Sequence, residues 1–537
     1  MYAIDFTKLA GTSKLFLDFI KCQEPACGYF RYDFKELSSY RLVAEQIDKI
    51  TYDREKLASI ISGATSHLNL SAATRDNIHR LSQSDSLCVF AGQQAGLLLG
   101  PNYSILKALT AYKLARRLEM ELGRPVIPCF WIATDDHDFA EVKTIKFVDR
   151  EGQCKSISYN PAQPPRGEPV ADIKLDSEIE KFISSVEEIL VDTEYSNAVK
   201  GWIRNIYRPG KPLSTAFIEL FETVMQSFGI VPVDPNFPGM KSIFEPVFRR
   251  DIEKHNVIYD IYEKKSLEIT EAGYHRQVHK QPNALNLFIN DGIRQNIIVK
   301  DNAIIFDGQD NPRFSCDELL TLLHNEPNRF SPNVTLRPIA QCFAFPTISQ
   351  IVGPSEAAYF AQIAPLFDFH GVPWPVIRPR MFATLIEPQI AKILHKYKID
   401  FAGLASDLEF EIGRVIRENY PSEIQDHAEK LRSQIDSPLQ VLGESIKSQD
   451  LESFQAIDYT RRRIDHELNH LSKKLFMAHK KRHDEARQRV LKVAGFLLPC
   501  GNFQERAITP IYFLDKFGPD IFKQIEPKLD LDCICHQ

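Results

Sequence analysis

SLCVFAGQQAGLLLGPNYSILKALTAYKLARRLEMELGRPVIPCFWIAT, residues 86–134, decides the fold. Its opening, SLCVFAG (86–92), is a short apolar run closed by glycine, the pattern of a buried strand. Residues 102–123 place Ile105, Leu106, Leu109, Tyr112 and Leu114 along a helical face, turn basic, and close on Gly123, which predicts a helix with a glycine C-cap. PVIPCFWIAT (125–134) is a second buried strand. Strand, turn, helix, strand is a βαβ unit, and such units build parallel sheets covered by helices. An α/β fold follows.

Upstream, residues 1–83 read as a mainly helical segment packing on this core, with amphipathic stretches near 36–50 and 71–83. Downstream, NPAQPPRGEP (160–169) is a proline-rich loop, and FGIVPVDPN (228–236) is a strand followed by a helix to about residue 266. The ND-G and KDN turn signals in 285–308 predict a small antiparallel insertion, placing the core at 84–385 with insertions over about 150–330. FPTISQIVGPSEAAYFAQIAPLF (345–367) repeats the strand–turn–helix pattern, with Ser355 as the expected N-cap, and PWPVIRPR (373–380) ends one more strand. Residues 386–498 are helical and highly charged. There Ile457, Arg461, Ile464, Leu468, Leu471, Leu475 and Ala478 alternate spacings of four and three, a heptad seam. Its partner is either residues 423–450 of the same chain or a second copy in a two-fold dimer. HKKRH (479–483) reads as a solvated helix face, and residues 499–537 form a C-terminal segment returning to the core.

The 537 residues carry 65 Lys and Arg against 71 Asp and Glu, so no global positive field recruits nucleic acid or an anionic membrane. Apolar runs are too short for a membrane span, and Asp5 interrupts any secretory leader; the expected location is the cytoplasm. The ten cysteines are scattered, which predicts free thiols. Cys533, Cys535 and His536 lack the spacing and the four ligands of a zinc site.

Three stretches carry candidate chemistry. In GQQAGLLLGP (92–101) the glycines at 92, 96 and 100 match neither the dinucleotide nor the Lys-containing phosphate fingerprint. Yet the loop follows a strand end, where parallel sheets bind ligands, and Gln93, Gln94, Tyr103 and Lys107 are its polar groups. In WIATDDHDFAEV (131–142), Asp138 and Glu141 fit a capping box, whereas Asp135, Asp136 and His137 have no structural explanation. Those three can bind an amine, orient hydroxyls, hold Mg²⁺ through oxygen, or use His137 as a general acid or base; no metal site is specified. In NVTLRPIAQCFAFPTISQIVGPSEAAYF (333–360), Asn333, Arg337 and Gln341 are four apart and predict one helix face, with Arg337 a carboxylate or phosphate clamp. Gly353, Glu356 and Tyr359 follow at the next turn. Arg378 and Arg380 either hold a second anion or form structural ion pairs.

GQQAGLLLGPNYSILK, IPCFWIATDDHDFAEV, NVTLRPIAQCFAFPT, IVGPSEAAYF and QERAITPIYFLDKFGPDIF, in this order, resemble the bacillithiol biosynthesis cysteine-adding enzymes over nearly the whole chain. The resemblance implies a Rossmann-like core with connecting-peptide insertions, a C-terminal coiled-coil domain and a homodimer. It implies a ligase joining L-cysteine to the amine of glucosaminyl-malate, with ATP and Mg²⁺ activating the cysteine carboxylate by analogy to class I ligases, although neither a HIGH nor a KMSKS motif is present. Carried onto this chain, it makes Lys107, Asp136 and His137 the catalytic candidates. Gln93, Gln94, Gly96, Tyr103, Asp135, Asn333, Arg337, Gly353, Glu356, Tyr359 and Arg378 become substrate-binding candidates. Arg380, Gln504 and Arg506 would form a second nucleotide pocket or a structural joint. Another adenylate-forming ligase or nucleotidyltransferase, and a nucleotide-sensing coiled-coil scaffold, are the competing readings.

Overall fold

The computed structural model describes residues 3–9, 11–300, 303–307, 314–418, 422–482 and 484–537. The chain divides into two units: residues 1–149, 154–384 and 499–537 form the first, and residues 150–153 and 385–498 the second.

The first unit is built on five parallel strands: β1 (Leu87–Gln93), β2 (Val126–Ile132), β3 (Val231–Val233), β4 (Thr347–Val352) and β5 (Val376–Pro379). Their order across the sheet is β5-β4-β1-β2-β3. Phe90 pairs with Cys129 on one side and Gln350 on the other, so the connections leave β1 in both directions. That divergence opens a crevice at the carboxyl ends of β1 and β4. The helix after β1, α1 (Tyr103–Leu122), ends on Gly123 in the left-handed region at φ 66°. α2 (Met240–Glu271) follows β3, α3 (Arg337–Ala344) precedes β4, and α4 (Pro354–His370) follows it. Three further antiparallel strands, Ala284–Asn290, Arg294–Lys300 and Ala303–Phe306, form the expected insertion, joined by Phe330–Pro332; Asp301 and Asn302 of its KDN turn lie outside the described residues.

GQQAGLLLGP divides in two. Gly92 must be glycine because a Cβ there would lie 2.9 Å from the Trp131 carbonyl oxygen. Leu97, Leu98 and Leu99 are fully buried, with Leu98 and Leu99 at φ 48° and 70°, a region costly for leucine. Tyr207 accepts from the Leu98 N–H at 3.0 Å and Thr509 donates to its carbonyl at 2.8 Å. The second half of the loop is therefore a packed turn, and Gly96 lies within it, 3.1 Å from Gly100 when given a Cβ.

Several expectations change. Pro338 sets the start of α3 at Arg337, so Asn333 sits before the helix and its side-chain Oδ1 accepts from the Thr335 and Leu336 N–H groups. The N-cap of α4 is Gly353 and not Ser355. Arg378 is buried and structural: it donates to the carbonyls of Phe34 and Leu531 at 2.7 and 2.8 Å, tying both ends of the chain to β5. The free-thiol expectation fails for four of the ten cysteines, since disulfides join Cys154 to Cys500 and Cys533 to Cys535. The fold brings those Cα atoms to 5.7 and 5.4 Å, within bonding range, although 346 residues separate the first pair.

In the second unit, helices Ser422–Ile446 and Leu451–Arg482 pack as an antiparallel hairpin. Asp436 pairs with Arg461 at 2.6 Å, Arg432 pairs with Asp465, and Gly443 faces Phe454 and Ile457. Residues 423–450 thus cover part of the heptad seam, leaving Leu471 and Leu475 exposed. The side chains of HKKRH (479–483) lie outside the described residues. Among the described residues no helix is long and apolar enough to cross a membrane.

The C-terminal segment docks through Arg380 and Glu505, both buried, in a two-point pair at 3.0 and 2.5 Å. Burial alone would raise the Glu505 carboxyl, but Arg380 outweighs it and the net shift is downward. Glu505→Leu, which strands a buried guanidinium, is expected to cost about 3–5 kcal/mol in chemical denaturation, and adding Arg380→Met to recover much of the loss.

Candidate functional site

The carboxyl ends of β1, β2 and β4 open into a cavity of about 680 Å³. At its base stands Lys107 of α1, buried. Its ammonium donates to the Gly92 carbonyl at 3.0 Å and to Gln93 Oε1 at 3.0 Å, and it pairs with Glu356 at 2.7 Å. An ammonium has three hydrogens, and these three acceptors use them all. Burial lowers the Lys107 pKa, with Glu356 opposing that shift. Glu356 is fixed in turn by the Gly353 N–H at 2.7 Å, so it caps α4 while it neutralises Lys107.

Gln93 donates to the Tyr103 hydroxyl at 3.0 Å, and Gln94 donates to Asp136 at 2.6 Å. Asp136 Oδ1 also accepts from the His137 N–H at 2.7 Å and lies 3.9 Å from Arg294. Arg337 donates to Gln341 at 3.0 Å and to Tyr359 at 3.3 Å. Burial pushes the phenols of Tyr103 and Tyr359 up to about 12, so both remain protonated hydrogen-bonding groups.

Gln93, Gln94, Tyr103, Lys107, Asp136, Arg337, Gly353, Glu356 and Tyr359 therefore share one cavity wall. Arg380 and Arg506 belong to the same wall rather than to a second pocket, while Gln504 is buried outside it. Gly96, Asn333 and Arg378 are outside it as well. Asp135 has a structural partner after all, Lys241 of α2 at 2.5 Å, buried. His137 is not in the wall: its ring is 43% exposed, 3.8 Å from Asp136 Oδ1 and 3.4 Å from Arg294. Among the described residues no group of three or more His, Cys, Asp or Glu gathers to hold a metal ion.

Sequence reading missed Glu141, Gln350 and Asn502 as wall residues. Gln350 carried a usable signal, an amide inside the otherwise apolar end of TISQIV. Glu141 was hidden behind its capping pattern; Asp138 does accept from the Glu141 N–H at 3.1 Å, while the Glu141 side chain faces the cavity.

Charges in the wall fall into two groups. Lys107 and Arg380 are bound to Glu356 and Glu505. Arg337 and Arg506 make no ion pair among the described residues, and neither does Glu141. The cavity thus offers two guanidiniums without ion pairs among the described residues, Arg337 being hydrogen-bonded to Gln341 and Tyr359, beside Glu141 and an Asp136 that Arg294 approaches to 3.9 Å.

Residues 2–381 match the N-terminal Rossmann-like domain described as bacillithiol biosynthesis BshC, and residues 383–531 match the C-terminal coiled-coil domain of the same description. The chain belongs to the bacillithiol biosynthesis BshC family. It is 30% identical over 523 residues to the protein named "Putative cysteine ligase BshC" of Salinibacter ruber, covering 97% of this chain and 95% of that one. Proteins of the same name from Staphylococcus carnosus and Solibacter usitatus are 26% and 27% identical, with coverages of 92% and 91%, and of 98% and 97%. The Rossmann-like core and coiled-coil region expected from the sequence are those of this family.

Beneath the Asp135 loop, Asp234 is buried and accepts from Thr134 and from the Asn236 N–H. Burial pushes its carboxyl from 3.8 to about 6, against the Thr134 hydrogen bond. The folded state therefore holds this proton more tightly than the unfolded chain, a contribution present below about pH 4 and lost as pH rises through about 6. Asp234→Asn is expected to abolish that dependence and to be the more stable form at pH 8 by on the order of 2 kcal/mol, measured by thermal unfolding from pH 4 to pH 8.

Proposed function

We propose that the chain is a cysteine ligase that joins the carboxyl of L-cysteine to the amine of glucosaminyl-malate, forming bacillithiol. One observation carries the choice of acceptor: among the described residues Arg337 and Arg506 lack carboxylate partners, and they share a cavity with Asp136 and Glu141. Glucosaminyl-malate carries two carboxylates and one amine, which matches two guanidiniums and an acidic patch. In this reading Arg337 and Arg506 hold the malyl carboxylates. Asp136 or Glu141 orients the amine and accepts its proton as the nitrogen lone pair forms the C–N bond and the bond to the activating group breaks. Lys107 holds the wall in place, having no hydrogen left for a substrate.

Two guanidiniums suffice for one dianionic ligand and not for a triphosphate beside it. ATP with Mg²⁺ is the activating reagent this reading calls for. The proposal includes a cytoplasmic location and a homodimer formed by the 422–482 hairpin, supported by Leu471, Leu475 and Met477, which are 47%, 43% and 53% exposed.

Mass spectrometry of a reaction containing the purified chain, cysteine, glucosaminyl-malate, ATP and Mg²⁺ is expected to show bacillithiol, and none without the nucleotide. Arg337→Ala and Arg506→Ala should each raise KM for glucosaminyl-malate about 10- to 100-fold. No product under any nucleotide condition would overturn the reading in favour of a binding protein. Sedimentation of the wild type should give twice the monomer mass, and Leu471→Glu with Leu475→Glu should give the monomer.

A further inference from the structure

Residues 274–281, between α2 and the strand Ala284–Asn290, have no regular secondary structure, yet Gln277 and Val278 line the cavity. A chain segment at such a place must find partners for its backbone outside any ladder. Here one side chain satisfies two N–H groups, while Tyr262 and Arg276 donate to the Val278 carbonyl at 2.7 and 3.2 Å. Gln362 of α4 is fully buried, and its Oε1 accepts from the Gln277 N–H at 3.1 Å and the Val278 N–H at 2.9 Å. Those two N–H groups have no other acceptor among the described residues. The amide nitrogen of Gln362 donates to Tyr262 and Ser266 of α2, both at 3.0 Å, and reaches the Val278 carbonyl at 3.2 Å. Two N–H donors on one side and hydroxyl and carbonyl oxygens on the other leave a single orientation for the amide.

We propose that Gln362 is a positioning residue that pins the 274–281 segment as one wall of the substrate cavity, although it does not itself reach that cavity. A primary amide carries the same donor and acceptor as a peptide group, so Gln362 acts as one rung of a missing strand. It stands one turn beyond Tyr359 on the helix that also carries Glu356. The strap, the Arg337–Tyr359 contact and the Lys107–Glu356 pair are thus registered on one rigid element. Loss of the amide leaves the buried Gln277 and Val278 N–H groups unpaired and loosens the strap, which Tyr262 and Arg276 still hold at the Val278 carbonyl, while the reacting groups stay in place. The cost falls on substrate binding rather than on turnover.

The kinetic consequence rests on the ligase reading; the pin itself does not. Hydrogen–deuterium exchange resolved to the Gln277 and Val278 amides is the primary test. Gln362→Leu should speed exchange at those two amides at least about ten-fold. Gln362→Asn, too short to reach both N–H groups, serves where the leucine variant does not fold. In the ligation assay Gln362→Leu and Gln362→Asn should raise KM for glucosaminyl-malate about ten-fold while kcat stays within about two-fold. Unchanged exchange in both Gln362→Leu and Gln362→Asn would overturn the pin. Faster exchange with unchanged KM would overturn its role in binding. A wild type that makes no product would count against the ligase reading alone, since the exchange result stands without it.

Discussion

One buried ammonium holds the site together. Lys107 reaches from α1 to the carbonyl end of β1, to Gln93, and across to Glu356 at the start of α4. Burying a lysine is expensive unless every hydrogen is used and a counter-charge lies in contact, and both conditions are met here. Glu356 serves twice, as the partner of Lys107 and as acceptor for the first N–H before α4. The pair therefore locks two strand–helix units together at the point where the sheet connections diverge. The other wall groups take their positions from those units: Gln93 and Tyr103 from the first, Tyr359 and its contact to Arg337 from the second.

That internal neutralisation shapes what the cavity can do. A cation spent on Lys107–Glu356 or on Arg380–Glu505 gives rigidity and no affinity. The charge left for a ligand is then Arg337 and Arg506 on one hand and, on the other, Glu141 together with Asp136, which Arg294 offsets in part from 3.9 Å. Such a divided wall suits a ligand that is itself divided, with carboxylates at one end and an ammonium at the other. It also makes the C-terminal segment part of the site, because Asn502 and Arg506 come from it and Glu505 between them is its buried anchor.

The sheet was legible because its signals are local. SLCVFAG, the helix ending at Gly123 and PVIPCFWIAT each declare themselves within a dozen or two residues, as does the glycine-led turn before Glu356. Partners distant in sequence were not legible. Asp135 looked functional because Lys241, its partner, lies 106 residues away. Arg378 looked like an anion site because Phe34 and Leu531 are remote, and nothing near Cys154 announces Cys500. Asn333 misled for another reason: its spacing from Arg337 is helical, but Pro338 starts the helix at Arg337, and the asparagine Oδ1 is spent on the turn before it. His137 shows that adjacency in sequence does not fix a role, since its ring lies 3.8 Å from Asp136 yet outside the cavity wall.

The most direct measurement is a crystal structure of the chain grown with glucosaminyl-malate. The account predicts the ligand in this cavity, its carboxylates on Arg337 and Arg506, its amine against Asp136 or Glu141, and Lys107 still paired with Glu356. A ligand bound elsewhere, or a Lys107 swung away from Glu356 onto a substrate carboxylate, would contradict it.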